Sequence, residues 1–407
     1  TTFIGTNQGV GSAYLDNVSV KEALNADFDF QRNSSATRVG SNGLIQDVAS
    51  NIPRIDYTGG VGSWKFEPQR TNLVTQSNNL TLGWGGFAFS GGNMSLNYGF
   101  LSPDGSNNAT RLTYTNTSAG SGGALLTQNL TLVANAVYTI SFWAKNVSGQ
   151  KRIRLDLRNS SSAGVSGTSF ELTNEWKKYS HTVTNDNATA RGVQIRIIDS
   201  EFAGNRVFDM WGVQLEQASY ATSTIPTSGQ SGGVTRLADV ANNAGSSDLI
   251  NSTEGVLYAE ISALANDGTN RFISLTNGVT DATNISLAFT SSTNEIRALV
   301  DISYSLQVSL THTINVLDFN KVAFKFKEND FSLWINGVKV GTDLSGSVPS
   351  ENYLSDLSFI RINALRFSGN TKSVAVFKEA LTDLELECLV SWMSFSDLGI
   401  NFGYTVE

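Results

Sequence analysis

The sequence predicts an all-β protein of tandem β-sandwiches, and three observations carry that prediction. Thr, Ser, Asn and Gly fill the space left by a charged fraction of only 16%, which suits many strands joined by tight turns. Period-two alternation recurs along the chain, as in RIRLDLR, where Ile153, Leu155 and Leu157 alternate with Arg152, Arg154, Asp156 and Arg158. Helical periodicity stands out once, near the C-terminus. At 407 residues, 40% of them hydrophobic, the chain can bury two or three separate cores.

The elements follow in order. In SAYLDNVSVKEA, residues 12–23, Tyr14, Asp16, Val18 and Val20 share one strand face. In RVFDMWGVQLEQA, residues 206–218, Val207, Asp209, Trp211, Val213 and Leu215 do the same, and KEA is matched by EQA. The later segment ends a domain, so residues 1–26 are expected to hold the last strand of a preceding, truncated domain. Residues 27–78 read as an ordered connector. Pro53, Pro68 and the glycines limit its backbone freedom, and Phe28, Phe30, Ile45, Ile55, Tyr57 and Phe66 offer anchors. Residues 79–218 read as a β-sandwich with VYTISFWAKN, RIRLDLRN, KKYSHTVT and GVQIRIID among its strands.

Residues 219–250, with Pro226, Gly229 and Gly232-Gly233, read as an ordered linker. Residues 251–393 read as a second sandwich, in which Asn336-Gly337 marks a two-residue hairpin turn. One short helix follows in KEALTDLELECLVSWM. Thr382 and Glu385 have capping-box spacing, with Leu381 and Leu386 placed for the hydrophobic staple. Leu386, Leu389, Val390 and Met393 make one apolar stripe, expected to close the sandwich edge as a lid. Residues 394–407 are a tail.

Composition excludes several functions. A net charge of -8 without any Lys/Arg run gives no means of neutralising phosphates, so no nucleic-acid partner is expected. No apolar run approaches the roughly 20 residues that span a bilayer, so no membrane insertion is expected. The single Cys388 excludes an intrachain disulfide framework and suits folding in a reducing compartment.

The connector motifs are more specific. Residues 28–73 carry FDFQRNSSATRV, GLI, NIPRIDY and EPQRTNL, and this series resembles a connector found in appendage proteins of tailed bacteriophages. PDGSNNATRL, YTISFWAK, EWKKYS and MWGVQLE are similar to the carbohydrate-binding-like jelly roll of those proteins. TSTIPTSG with VTRLADV resembles their inter-domain linker. EGVLYAEI, FSLWINGVKV and ALTDLELECL resemble their concanavalin A-like, laminin-G-like domain. The resemblance implies a virion protein, assembled in the bacterial cytoplasm and acting outside the cell. It binds other virion proteins and a bacterial surface glycan, as a tail or head fibre. It also implies a homotrimer. The connector adds a motive for one, because its scattered apolar residues need a covering surface that a neighbouring subunit could supply. The connector is then a spacer of fixed shape between rigid sandwiches. A purely structural virion decoration, and the binding part of a polysaccharide depolymerase, stand as alternatives.

Candidate site residues can then be weighed. Catalysis is not expected. No strand has the ExDxxE carboxylates of concanavalin A-like hydrolases, and His181 and His312 are isolated. Asp383, Glu385 and Glu387 lie on the helix, where capping and the helix dipole account for them. Trp143 alternates with Ile140 and Phe142 and is a candidate to stack on a sugar ring. Arg154, Asp156, Arg158, Gln194 and Arg196 form an outward comb that could line the same face and suit an acidic or heavily hydroxylated glycan. The same face could instead be solvated with cross-strand ion pairs, or covered by a neighbouring subunit. The resemblance places Trp176 and Trp211 in the core, and Trp334 is a weaker candidate for exposure. Carbohydrate-binding jelly rolls often hold a structural calcium. Asp209, on the apolar face of its strand, is a candidate calcium ligand or an acceptor of backbone hydrogen bonds.

Overall fold

Alternation becomes paired sheets in both halves of the chain. The structure, a computed structural model, describes residues 27–89, 92–116, 123–159, 166–185, 191–198, 204–361 and 365–391. The expected strand in residues 12–23, the tail 394–407 and Met393 lie outside them. Strand accounts for 53% and helix for 3%, so the fold is all-β with one short C-terminal helix. That helix is too short to cross a membrane, and no helix among the described residues is long and apolar enough to do so.

The chain divides into two compact units, one of them Phe30–Asp239. The sandwich of this unit uses ten strands: β1 (Gly85–Phe89), β2 (Gly92–Phe100), β3 (Ala109–Asn116), β4 (Gly123–Leu130) and β5 (Val137–Gly149), then β6 (Arg152–Asn159), β7 (Ser166–Glu171), β8 (Lys177–Thr184), β9 (Arg191–Ile198) and β10 (Arg206–Glu216). One sheet has the order β7-β6-β9-β4-β1 and the other β8-β5-β10-β3-β2. All the pairings in register are antiparallel. Tyr138, Ile140, Phe142 and Ala144 of β5 face inward against Ile153 and Leu155 of β6 and Phe208, Met210 and Val213 of β10. Phe142 stacks on Tyr179 at 5.7 Å and 24°. Each fully buried large apolar side chain of this kind contributes about 1.5–3 kcal/mol.

The connector and linker do not hang free of this sandwich. Ala36–Val39 pairs with Ile45–Val48 as a hairpin, and Arg70–Asn72 pairs with Val234–Arg236. Ile45, Val48, Phe66 and Val74 are buried, whereas Ile55 is exposed. Ile45 packs with Ala109 and Trp211 of the sandwich. The motive for a trimer in uncovered connector residues is thereby removed for Ile45 and Phe66. The same chain supplies their cover.

The other unit holds a second sandwich, with strands β11 (Glu254–Ala263), β12 (Arg271–Thr276), β13 (Asn284–Phe289), β14 (Glu295–Ile302), β15 (Ser305–Thr313), β16 (Asn320–Lys327), β17 (Phe331–Ile335), β18 (Val338–Asp343), β19 (Asp356–Ser358) and β20 (Gly369–Phe377). Its sheets run β18-β17-β16-β11-β20 and β15-β14-β13-β12-β19. Asn336 and Gly337 have φ of 48° and 86°, the two left-handed residues that a type I′ hairpin needs, and they join β17 to β18. Helix α1 spans Asp383–Ser391. Thr382 N–H donates to Glu385 Oε2 at 2.8 Å and Glu385 N–H to Thr382 Oγ1 at 3.4 Å, which closes the capping box. The helix docks through its apolar stripe, and Lys339 of the edge strand β18 pairs with Asp383 in its first turn at 2.5 Å. Leu386 and Val390 pack against Val256, Tyr258, Ala323 and Trp334, on the outer face of the sheet. Trp334 is therefore buried beneath the helix rather than exposed.

Candidate functional site

Four of the connector and linker motifs meet in one buried cluster of charge. Arg32 Nη1 lies 2.9 Å from Asp239 Oδ1, and Arg54 Nη2 pairs with Asp239 Oδ2. Glu67 Oε2 takes Arg54 Nη1 and Arg236 Nη1, each at 2.7 Å. Backbone and hydroxyl groups complete the shell. Glu67 N–H donates to Asp239 Oδ2 at 2.8 Å, Ser223 N–H to Glu67 Oε1 at 2.7 Å, and Arg236 Nη2 to Pro68 O at 2.8 Å. The side chains of Arg32, Arg54 and Asp239 have no exposed surface. Burial pushes the Glu67 carboxyl up, but Arg236 and Arg54 outweigh it and hold the group well below the usual carboxylate range. Ions this deep persist only when paired and hydrogen-bonded, and these are. Sequence reasoning missed the cluster, although the signal was present: FDFQR, PRID, EPQR and VTRLAD carry most of the charged residues of the connector and linker.

The cluster fastens the linker across the outer face of the sheet containing β5 and β10. Thr139 Oγ1 donates to Ala218 O at 2.8 Å, Ile225 N–H to Gln214 Oε1 at 2.7 Å, and Thr222 N–H to Glu216 Oε2 at 3.0 Å. Lys178 Nζ reaches Thr222 O; burial pushes its amine down against the pull of Glu216. The Glu216 end of this face is thus closed by the chain itself.

Toward the other end the rings of Phe100, Trp143 and Trp176 are only half-buried, and this is the candidate glycan site. Trp143 pairs with Trp211 across the strands, Lys145 with Asp209, and Asp209 with Arg111. Phe100, Trp143 and Trp176 pack, half-buried, around Ile45, Ala109 and Trp211. Lys145 Nζ stands 5.2 Å from the Trp176 ring centre, and the Arg111 guanidinium 3.9 Å from that of Phe100. Trp176 Nε1 is buried without a hydrogen-bond partner in the chain, whereas Asn146 pairs across the strands with Phe208 and so faces the interior. Half-exposed aromatic rings flanked by two cations are chemistry that stacks on a sugar ring and bonds its hydroxyls.

The sequence candidates are divided by the fold. Trp143 is outward, as alternation predicts, but half-buried, and its indole N–H is given to Thr224 Oγ1 at 3.2 Å. Arg154, Asp156 and Arg158 belong to β6, Gln194 and Arg196 to β9. The register sets Arg154 opposite Arg196 and Asp156 opposite Gln194. These strands form the opposite sheet, so the comb does not share a face with Trp143. Arg154 is half-buried, and the side chains of the other four lie outside the described residues. Trp211 is buried, but on the outer face rather than in the sandwich core, donating to Asn108 Oδ1 at 2.6 Å.

Asp209 is not suited to calcium. Its oxygens are taken by Arg111, Nε–Oδ1 at 2.7 Å and Nη2–Oδ2 at 2.9 Å, with Lys145 Nζ at 3.9 Å. The side-chain hydrogen bond to Asp209 raises the Arg111 pKa. Two cations on one carboxylate repel a third. Among the described residues no group of three or more His, Cys, Asp or Glu side chains is placed to hold a metal.

Comparison with known proteins agrees with the sandwich that carries this face. A family model described as a carbohydrate binding domain matches residues 71–200. No curated protein matches the chain. Similar solved structures include the Ruminococcus gnavus IT-sialidase CBM40 bound to alpha2,3 sialyllactose, at 16% identity, 37% of this chain, 94% of that one and a TM-score of 0.30. Domain 4 of a GH43 extracellular arabinanase from Geobacillus stearothermophilus, in complex with arabinotriose, aligns at 11% identity over 38% of this chain and 73% of its own, with a TM-score of 0.32. The enzymatically active domain of tailspike protein 4 from bacteriophage CBA120 aligns at 13% identity over 36% of this chain and 21% of its own, with a TM-score of 0.27.

Proposed function

We propose that this protein is a non-enzymatic, glycan-binding appendage of a tailed-phage virion, and that it serves attachment to bacterial surface glycans. The observation that carries the binding reading is the carbohydrate-binding-domain match over 71–200, on the sandwich whose outer face carries the half-buried rings of Trp143, Trp176 and Phe100 beside Lys145. The phage setting rests on the connector motifs. Their charged residues make the buried cluster, which gives a physical reason for that sequence pattern. Homotrimeric assembly belongs to the proposal because display of several weak sites on one particle makes each further contact effectively intramolecular. Light scattering of the purified chain tests it, and a mass of 43.7 kDa means a monomer.

The experiment for function is a bacterial-glycan array probed with the whole chain, together with antibody labelling of intact virions. Array binding plus label at an exposed fibre tip is the expected result. Label within the particle body and a blank array would favour a purely structural decoration, a reading that the rigid ion cluster also suits.

A further inference from the structure

A second cleft lies at the closed end of the same sheet. Its volume is about 250 Å³, and it is lined by Gln69, Arg70, Thr71, Leu73 and Gln217. That is room for a small polar ligand, slightly below the roughly 300 Å³ at which drug-sized pockets begin. The frame is rigid. Asn72 Nδ2 donates to Val213 O at 3.2 Å and Ile225 O at 2.9 Å, and Asn72 Oδ1 accepts Val74 N–H and Leu215 N–H, each at 3.1 Å. Gly233 holds the opposing strand in place at φ 85°, where an added Cβ would lie 2.0 Å from Asn72 O.

Arg70 sets the chemistry of the cleft. Its guanidinium lies 5.4 Å from the Tyr220 ring centre, and Nη1 donates to Gln69 O at 3.0 Å. Its Nε is buried with no hydrogen-bond partner in the chain, and no carboxylate among the described residues pairs with it. Elsewhere in this unit the buried guanidiniums of Arg32, Arg54 and Arg236 all have a carboxylate. Arg70 lines the cleft, held against Tyr220, without one. A planar guanidinium in that state matches a carboxylate. The Gln69 and Gln217 amides can each donate to and accept from ligand hydroxyls, and the Thr71 hydroxyl, paired with Thr235 Oγ1 at 2.8 Å, keeps an acceptor lone pair.

We infer that this cleft binds a carboxylate-bearing sugar unit of the uronic acid class, at a site separate from the aromatic face. Gln217 and Trp211 are six positions apart along β10 and its continuation, at most about 20 Å at ~3.3 Å per residue, with a bulge at Gly212 between them. The inference does not depend on sugar binding at the aromatic face.

The test titrates the full chain, followed by NMR, with D-galacturonic acid, its methyl ester and acetate. Galacturonate is expected to bind at least ten-fold more tightly than the ester or acetate. Arg70→Met should abolish that preference, and Trp176→Ala should leave it intact. Equal binding of the ester, or a preference that survives Arg70→Met, overturns the inference. Acetate binding as tightly as galacturonate overturns its sugar part and leaves an anion site. If Arg70→Met does not fold, the exposed Gln217→Leu substitution decides: several-fold weaker galacturonate binding supports the site, and unchanged binding overturns it.

Discussion

Trp143 in the first sandwich and Trp334 in the second both point outward from their sheets, yet their surroundings differ. Trp334 lies under an apolar helix, closed over by Leu386 and Val390, with its indole N–H given to Ser332 Oγ at 3.1 Å. Trp143 lies under an irregular polar segment, half-buried, with its indole N–H given to Thr224. One cover is held by hydrophobic burial, the other by paired charge and hydrogen bonds. A helix stripe seals a face uniformly. The strap covers its face unevenly, leaving Phe100, Trp143 and Trp176 half-buried, and that is where the glycan site is proposed.

The largest expected effect comes from unpinning the strap. Glu67→Gln leaves Arg54 and Arg236 without their shared carboxylate and should cost about 3–5 kcal/mol in denaturant unfolding. A loss below about 1 kcal/mol would mean that the cluster is not what holds the connector. The same group sets acid sensitivity. Its folded pKa lies well below the unfolded value of about 4.3, so the stability it contributes is complete above that pH. It is lost as pH falls through the folded value. Melting temperature should therefore hold steady down to about pH 5 and drop below about pH 4, with a shallower acid limb in Glu67→Gln. Removing the other cover comes next. Leu386→Ala should cost about 2–5 kcal/mol, as for other fully buried leucines. Trp143→Ala should cost about 2 kcal/mol, less than the ~3–5 of a fully buried aromatic. A full core-sized loss there would mean that the strap seals Trp143 as completely as the helix seals Trp334.

The features legible in the sequence were the local ones. Asn336-Gly337, the Thr382–Glu385 box and the alternation of β5 and β6 each depend on residues a few positions apart, and all appear in the structure. Two things were not legible. Alternation tells which side of a sheet Trp143 and Arg154 face, but not which sheet each strand joins. Between β5 and β6 the chain crosses from one sheet to the other, at Gly149, whose φ of 80° and closeness to Asn205 O admit no side chain. That crossing separates the comb from the tryptophan. Nor does alternation tell what covers a face. The strap depends on Arg32 meeting Asp239, 207 positions away, and no local pattern encodes that pairing. Its charged residues were visible, but only as parts of motifs.

The most direct test of the central claim is the Trp176→Ala variant, the smallest structural change of the set. The ring is half-buried on the aromatic face, and its removal should cost no more than about 1 kcal/mol of stability. Affinity of the whole chain for an array-selected bacterial glycan should be compared for wild type and variant by titration calorimetry. The account predicts that binding falls at least ten-fold while the melting temperature stays within a few degrees. Undiminished binding by a folded Trp176→Ala protein would contradict it and place the glycan elsewhere.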